Sequence, residues 1–249
     1  MPNHISNRLV VTANSNEEIT LFLDAIESEE MEHDKCLVID FNKIIPMPEE
    51  LRNTSASSDT DNGIYYYLVQ SNQRDMLKHL LYCPEFYSMD RFKTYSQNKL
   101  NELYAIGEKY VALYRKYGSK DWYDWSLANW GSKWNAYETY LEYIDECTVI
   151  IYFQTAWSGV PAIVEELTAL YPALTFEYVY ADEDMGYNCG KGWGEDGDFS
   201  FRLLDGGSDE AMETYILCWN EDEDNFYKDD DGVWHNRMWD DDYDDEDSL

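Results

Sequence analysis

Two strand–helix–strand runs, about a hundred residues apart, constrain the fold of this chain more than any other feature. Residues 7–13 (NRLVVTA) are β-rich. Ser15 follows as a good helix N-cap with Glu18 three residues on, and then Ile19, Phe22, Leu23 and Ile26 fall at helical spacing. Residues 35–41 (KCLVIDF) read as the next strand, ended by Pro46 and Pro48. In the second run, residues 148–155 (TVIIYFQT) predict a strand, and Ser158 caps a helix with Pro161 near its start. Val160, Val164, Leu167 and Leu170 mark the buried side of that helix, and Pro172 stops it. Residues 174–180 (LTFEYVY) give a fourth strand. Two such halves in series predict an α+β fold, a ferredoxin-like βαββαβ sandwich whose four-stranded antiparallel sheet carries both helices on one face.

The rest of the chain divides around that frame. Residues 1–52 hold the first half, and residues 53–147 form a long, mostly helical, aromatic-rich insertion between strands 2 and 3. Its start, residues 53–63 (NTSASSDTDNG), reads as a mobile loop. Residues 64–87 and 89–117 read mainly as helix, with Leu100, Leu103, Ile106, Tyr110, Leu113 and Tyr117 forming an apolar stripe that Gly118 closes. Residues 148–220 hold the second half with an extra hairpin and helix. There, residues 186–197 (GYNCGKGWGEDG) read as a glycine-rich turn, residues 199–204 as an edge strand, and residues 209–219 as a helix with Met212, Tyr215, Ile216 and Trp219 on one face. Residues 221–249 form an acidic tail with too few apolar residues to fold in isolation; Trp234, Trp239 and Tyr243 are its candidate anchors.

Charge is distributed unevenly along this frame. Residues 181–249 hold 24 Asp/Glu against 4 Lys/Arg, and so carry 20 of the chain's 33 net negative charges. Such a surface repels nucleic acid and anionic lipid and attracts whatever normally holds them. An extended chain rises about 3.3 Å per residue, near the roughly 3.4 Å between phosphates along one DNA strand. With 16% aromatic and 44% hydrophobic residues the chain is still able to build a core. No apolar run reaches the roughly 18 residues of a membrane helix, and the N-terminus lacks a signal-peptide pattern, so a cytoplasmic protein is expected. Five cysteines without a CxxC pair are expected to be reduced thiols.

Several strings together resemble the YubB-type ferredoxin-like family of phage and plasmid proteins: SNRLVV at residues 6–11, FNKIIPMPEEL at 41–51, NWGSKWNA at 129–136, FQTAWSGVP at 153–161 and YADEDMGYNCGKGW at 180–193. The resemblance spans about residues 3–201. It implies a ferredoxin-like fold and a home on a mobile element, and it brings no established activity or catalytic residues. The acidic extension lies outside the shared strings.

Enzymatic motifs fail on inspection, and no enzyme is expected. Gly190, Gly192 and Gly194 lack the strand-to-helix setting and the GK[ST] ending of a phosphate loop. Cys189 has no histidine placed by motif to serve as its base. With Gly232 as the glycine of a calcium loop, Tyr227 and Met238 fall where Asp and Glu are required. No metal and no cofactor is expected. Tyr152, Tyr178 and Tyr180 could stand on a base-stacking sheet face, but the acidic field opposes a phosphate backbone, so no direct nucleic-acid or membrane binding is expected.

The expected function is that of an anti-defence protein acting as an acidic nucleic-acid mimic in the host cytoplasm. Its partner would be a host nucleic-acid-binding protein, a nuclease, restriction or other defence complex. The partner-binding candidates are Asp229, Asp230, Asp231, Trp234, Trp239, Asp240, Asp241, Asp242, Tyr243, Asp244, Asp245, Glu246 and Asp247. The alternative is a non-mimic accessory protein that binds a small ligand or a protein through an aromatic site on the body. Its candidates are Trp130, Lys133, Trp134, Trp157 and Trp193, which the core reading would instead assign to packing.

Overall fold

Strand β1 (His4–Thr12) lies inside a six-stranded antiparallel sheet in the computed structural model, which describes residues 2–28, 31–32, 35–36 and 38–240. The other strands are β2 (Tyr137–Tyr143), β3 (Thr148–Ala156), β4 (Thr175–Asp182), β5 (Gly190–Glu195) and β6 (Asp198–Leu203), in the order β2-β3-β1-β4-β5-β6. The four strands β4-β1-β3-β2 have the interleaved order of two crossed βαβ units, and β5 and β6 extend the sheet beyond β4. Met1–Pro46 and Trp130–Leu249 make up this unit, and Met47–Asn129 make up a second. No described helix is long and apolar enough to cross a membrane.

Strand alternation sends Ile5, Leu9 and Val11 of β1, Val149, Ile151 and Phe153 of β3, and Phe176, Tyr178 and Tyr180 of β4 to one face, where all are buried. Helices α1 (Asn16–Ile26) and α2 (Pro161–Leu170) cover that face with Ile19, Phe22 and Ile26 and with Ile163, Val164 and Leu167. The Phe22 ring meets Phe176 at 5.8 Å and Tyr171 at 5.2 Å. Each such side chain stabilises by about 1.5–3 kcal/mol. Helix α1 starts as its sequence predicts, with Ser15 Oγ accepting from the Glu18 N–H and Glu18 accepting from the Asn14 N–H. Helix α2 instead starts after Val160, whose N–H donates to the buried Tyr178 hydroxyl at 2.7 Å, so Ser158 is not its cap.

The second strand of the sheet is not the one expected. Among the described residues Lys35–Cys36 pair with Met31–Glu32 as a two-residue ribbon, and Phe41–Ile44 is one helical turn capped by Asp40. Strand β2 takes the place instead, as a hairpin with β3 whose turn is pinned by Asp145 Oδ1 accepting from the Cys147 N–H. As an edge strand, β2 is never fully buried, and its YETYLEY sequence lacks the apolar signal of KCLVIDF. The long insertion therefore separates α1 from strand 2 rather than strand 2 from strand 3, and the boundaries at residues 52 and 147 do not coincide with the structural units.

The glycine-rich run at 190–194 is also a strand, not a turn. Its glycines face α2, where a Cβ on Gly190 would meet Tyr180 at 2.6 Å, one on Gly192 would meet Phe199 at 2.5 Å, and one on Gly194 would meet Thr168 at 2.2 Å. The missing side chains make room for rings and a helix to lie on the sheet. On the opposite face, α3 (Asp209–Trp219) packs Ala211, Met212, Tyr215 and Cys218 over Ala181, and Ser6 Oγ donates to the Cys218 carbonyl at 2.6 Å.

The second unit is helical. Gln97–Tyr117 carries the expected stripe and ends at Gly118 in the left-handed region (φ 75°). It packs on Ser58–Gln70 so closely that a Cβ on Gly107 would lie 2.1 Å from the Gly63 carbonyl oxygen. Residues 58–63 are thus helix rather than loop: Ser57 caps the Thr60 N–H, and Gly63 supplies the close approach.

Candidate functional site

The acidic segment from Glu221 to Asp240, expected not to fold in isolation, is built onto the sheet unit, with Trp234 among its anchors. Strands β7 (Phe226–Lys228) and β8 (Trp234–Asn236) form a hairpin. Phe226 is buried edge-on against Tyr215 at 6.1 Å, and Trp234 packs against the same cluster. The Trp234 indole N–H donates to Asp209 at 3.2 Å, and Lys228 sits 5.4 Å from the Trp234 ring while pairing with Asp209. Tyr227 stacks on His235 at 5.1 Å with the Arg237 guanidinium 4.7 Å from its ring. Apolar anchoring to α3 thus overcomes the self-repulsion that composition alone would forecast.

Within this hairpin the candidate residues separate by role. Asp229 builds the turn: Oδ1 accepts from the Asp231 and Val233 N–H groups at 3.0 and 2.8 Å, and Oδ2 lies 2.9 Å from His235 Nε2. The Val233 N–H first, then His235, hold its carboxyl below the usual aspartate value. Trp234 is an anchor rather than a free contact. Asp230 and Asp231 are exposed at the turn, as are Glu221, Glu223 and Asp224, while Asp222 accepts from the Asp224 N–H to fix the preceding turn. The side chains of Trp239 and Asp240, and Asp241, Asp242, Tyr243, Asp244, Asp245, Glu246 and Asp247, lie outside the described residues.

Of the five aromatic-site candidates the structure brings together three. Lys133 Nζ lies 4.7 Å from the Trp134 ring and 5.2 Å from the Trp157 ring, and both indoles stay about two-fifths exposed, at 39% and 41%. Trp134 meets Tyr137 edge-on at 6.2 Å. The Tyr137 hydroxyl donates to the Thr155 carbonyl at 3.1 Å, which leaves His4 Nδ1, 2.8 Å away, as the donor to it. Burial pushes the Tyr137 phenol up to about 12. Trp157 adopts a left-handed backbone (φ 72°), held by its N–H donating to the Asn3 carbonyl and its carbonyl accepting from Asn188 Nδ2. Asn3 and Asn188 both donate to the buried Asp182 carboxylate, at 3.0 and 2.7 Å. The lysine fills the space between the indoles, so the cluster is a surface patch with its own cation rather than an open cage.

The remaining two belong elsewhere. Trp130 is core, 4% exposed, with its indole N–H donating to the Ile45 carbonyl and its ring edge-on to Phe41. Trp193 lies on β5 between Glu177 and Ser200. Sequence reasoning missed Lys191, Arg202 and Glu210, which meet on the α3 side of the sheet. The alternation Lys191-Gly192-Trp193 against Ser200-Phe201-Arg202 was the available signal. Cys189 donates to the Tyr187 carbonyl, and burial pushes its thiol up to about 11, which disfavours the thiolate.

Residues 136–228 match the family model described as a ferredoxin-like domain in Api92-like protein, a span that runs from β2 to β7. No curated protein matches the chain. Among solved structures it is similar to the crystal structure of a protein api92 from Yersinia pseudotuberculosis, with 11% identity and a TM-score of 0.35, covering 82% of this chain and 99% of that one. The family model assigns residues 136–228 a ferredoxin-like domain similar to that of Api92-like proteins, and the sheet that these residues build also takes in β1 from residues 4–12.

Proposed function

We propose that this protein is a mobile-element anti-defence factor that mimics nucleic acid and blocks a host DNA- or RNA-binding defence enzyme in the host cytoplasm. One observation carries the reading. The exposed carboxylates of Asp230 and Asp231 stand at the turn of an ordered hairpin whose Phe226 and Trp234 are fixed to α3, and those of Glu221, Glu223 and Asp224 stand on the segment that leads into it. Carboxylates on pre-formed turns pay less ordering entropy on binding than a loose tail, and the net charge of −33 steers a cationic groove towards them. The sequence resemblance to the YubB-type family supports the mobile-element setting.

The test compares the full chain with a variant carrying Glu223→Gln, Asp224→Asn, Asp230→Asn and Asp231→Asn, which leaves the anchors in place. Both are assayed for inhibition of a panel of host nucleases and restriction enzymes across a salt series, with duplex oligonucleotide as competitor. Inhibition that weakens in the variant, weakens with salt and is relieved by oligonucleotide is expected. Inhibition unchanged by neutralisation and indifferent to oligonucleotide refutes mimicry.

A second reading is favoured by the two half-exposed indoles flanking Lys133: an aromatic surface on the body that binds a protein or small ligand. Trp134→Ala with Trp157→Ala would then abolish binding of a captured partner while the acidic variant retains it.

A further inference from the structure

Strands β4, β5 and β6 present two rows of side chains on the α3 side of the sheet. Val179, Lys191 and Arg202 stand opposite one another in the first row, and Glu177, Trp193 and Ser200 in the second. Helix α3 packs on β4 and β1, and beside it these six residues line a groove of about 480 Å³. That size falls in the range of sites for small organic ligands. The Trp193 indole is 44% exposed at its wall, and Val179 contributes apolar floor.

The two cations of the groove converge on a single point, and Glu177 in the second row adds a negative charge to the lining. Glu210, in the first turn of α3, pairs through the same carboxylate oxygen with both Lys191 Nζ and the Arg202 guanidinium. All three side chains remain partly exposed, so solvent reaches the triad and the pairs are exchangeable. Residues 181–249 have four Lys/Arg; Lys228 and Arg237 serve the hairpin, and the other two converge here. An ammonium and a guanidinium directed at one oxygen make an anion site, and Glu210 is the internal anion that now occupies it.

We propose that this groove binds a planar aromatic ligand bearing one anionic group, carboxylate or phosphate. The ring lies against Trp193 over Val179, and the anion displaces Glu210 from Lys191 and Arg202. Burying the ring supplies affinity, and an anion that gives Lys191 and Arg202 an oxygen each, where Glu210 makes them share one, supplies selectivity over neutral ligands. The groove and its charged triad share no residue with the acidic hairpin.

The full chain is titrated calorimetrically with 2-naphthoate, with the neutral 2-naphthamide, and with AMP against adenosine; circular dichroism checks that every variant is folded. Naphthoate is expected to bind at least about tenfold tighter than naphthamide, the selectivity of roughly one charge-assisted hydrogen bond. Glu210→Gln, which removes the internal competitor, should tighten naphthoate about fivefold or more, whereas Arg202→Gln and Trp193→Ala should each weaken it about tenfold. AMP that competes with naphthoate while adenosine does not identifies phosphate as the anion; naphthoate binding without AMP binding identifies carboxylate. Equal binding of naphthoate and naphthamide, no change in Glu210→Gln, or no binding at millimolar naphthoate overturns the proposal.

Discussion

Tyr178→Phe deletes one oxygen from the centre of the sheet unit and tests whether the buried polar network holds α2 to the strands. The Tyr178 side chain is fully buried. Its hydroxyl donates to Asn7 Oδ1 at 2.6 Å and accepts from the Val160 N–H at 2.7 Å. Asn7, also fully buried, spends its amide on Thr155 Oγ1 at 2.9 Å and on the Phe153 and Ile5 carbonyls. The phenylalanine keeps the ring packing, but it strands one buried acceptor and one buried donor at the start of α2. Each unsatisfied group costs about 1–3 kcal/mol, so a loss of about 2–4 kcal/mol is expected after partial relaxation. Burial holds the Tyr178 phenol well above its usual value, so the hydroxyl keeps its proton and the loss should be the same at pH 6 and pH 9. Urea unfolding followed by circular dichroism measures it, with Asn7→Leu completing a double-mutant cycle whose coupling should be about 1–3 kcal/mol. A loss below about 0.5 kcal/mol, or a cycle with no coupling, would refute the claim that this network joins helix to sheet.

Three further outcomes follow from the packing and charge. The depressed Asp229 carboxyl contributes hairpin stability that is complete above its unfolded pKa of about 3.9 and is lost as pH falls through the lower folded value. Val233 amide exchange should therefore accelerate below about pH 4 while the Leu9 amide in the sheet stays protected, and Asp229→Asn should remove that acid step. Gly107→Ala places a Cβ 2.1 Å from the Gly63 oxygen and 2.4 Å from Tyr67 Cβ; overpacking of about 1–3 kcal/mol should outweigh the roughly 1 kcal/mol gain in helix propensity, read as a lower melting temperature. Gly192→Ala meets the Ser200 backbone oxygen at 2.9 Å as well as Phe199, so β5–β6 amide protection should fall while that of β1–β3 is retained.

Legibility in the sequence followed the range of the interactions involved. The caps at Ser15 and Gly118, the stripe from Leu103 to Leu113, the apolar strands β1, β3 and β4 and the face of α3 all express contacts within a few residues or a period of 2 or 3.6, and local patterning reports these directly. Roles that depended on distant partners were not legible. KCLVIDF has the better β composition, yet YETYLEY became the second strand because a tight hairpin delivered it to the edge of β3. Trp130 and Trp134 are four residues apart and equally aromatic, yet one is sealed beneath Phe41 and the other stands half-open beside Lys133.

What the chain determines by itself is therefore its amphipathic helices, the apolar strands β1, β3 and β4, its α+β class and the placing of negative charge in its last third. Tertiary structure alone decided three things. The Gly190–Gly194 alternation became a strand, because Tyr180, Phe199 and Thr168 need the space a side chain would fill. An acidic segment became a hairpin, because Phe226 and Trp234 find the apolar surface of α3. Two isolated cations became an anion site, because antiparallel register sets Lys191 opposite Arg202 and α3 begins where Glu210 can reach both. Burial and register are properties of assembled surfaces, and a single strand of sequence does not contain the surface it will meet.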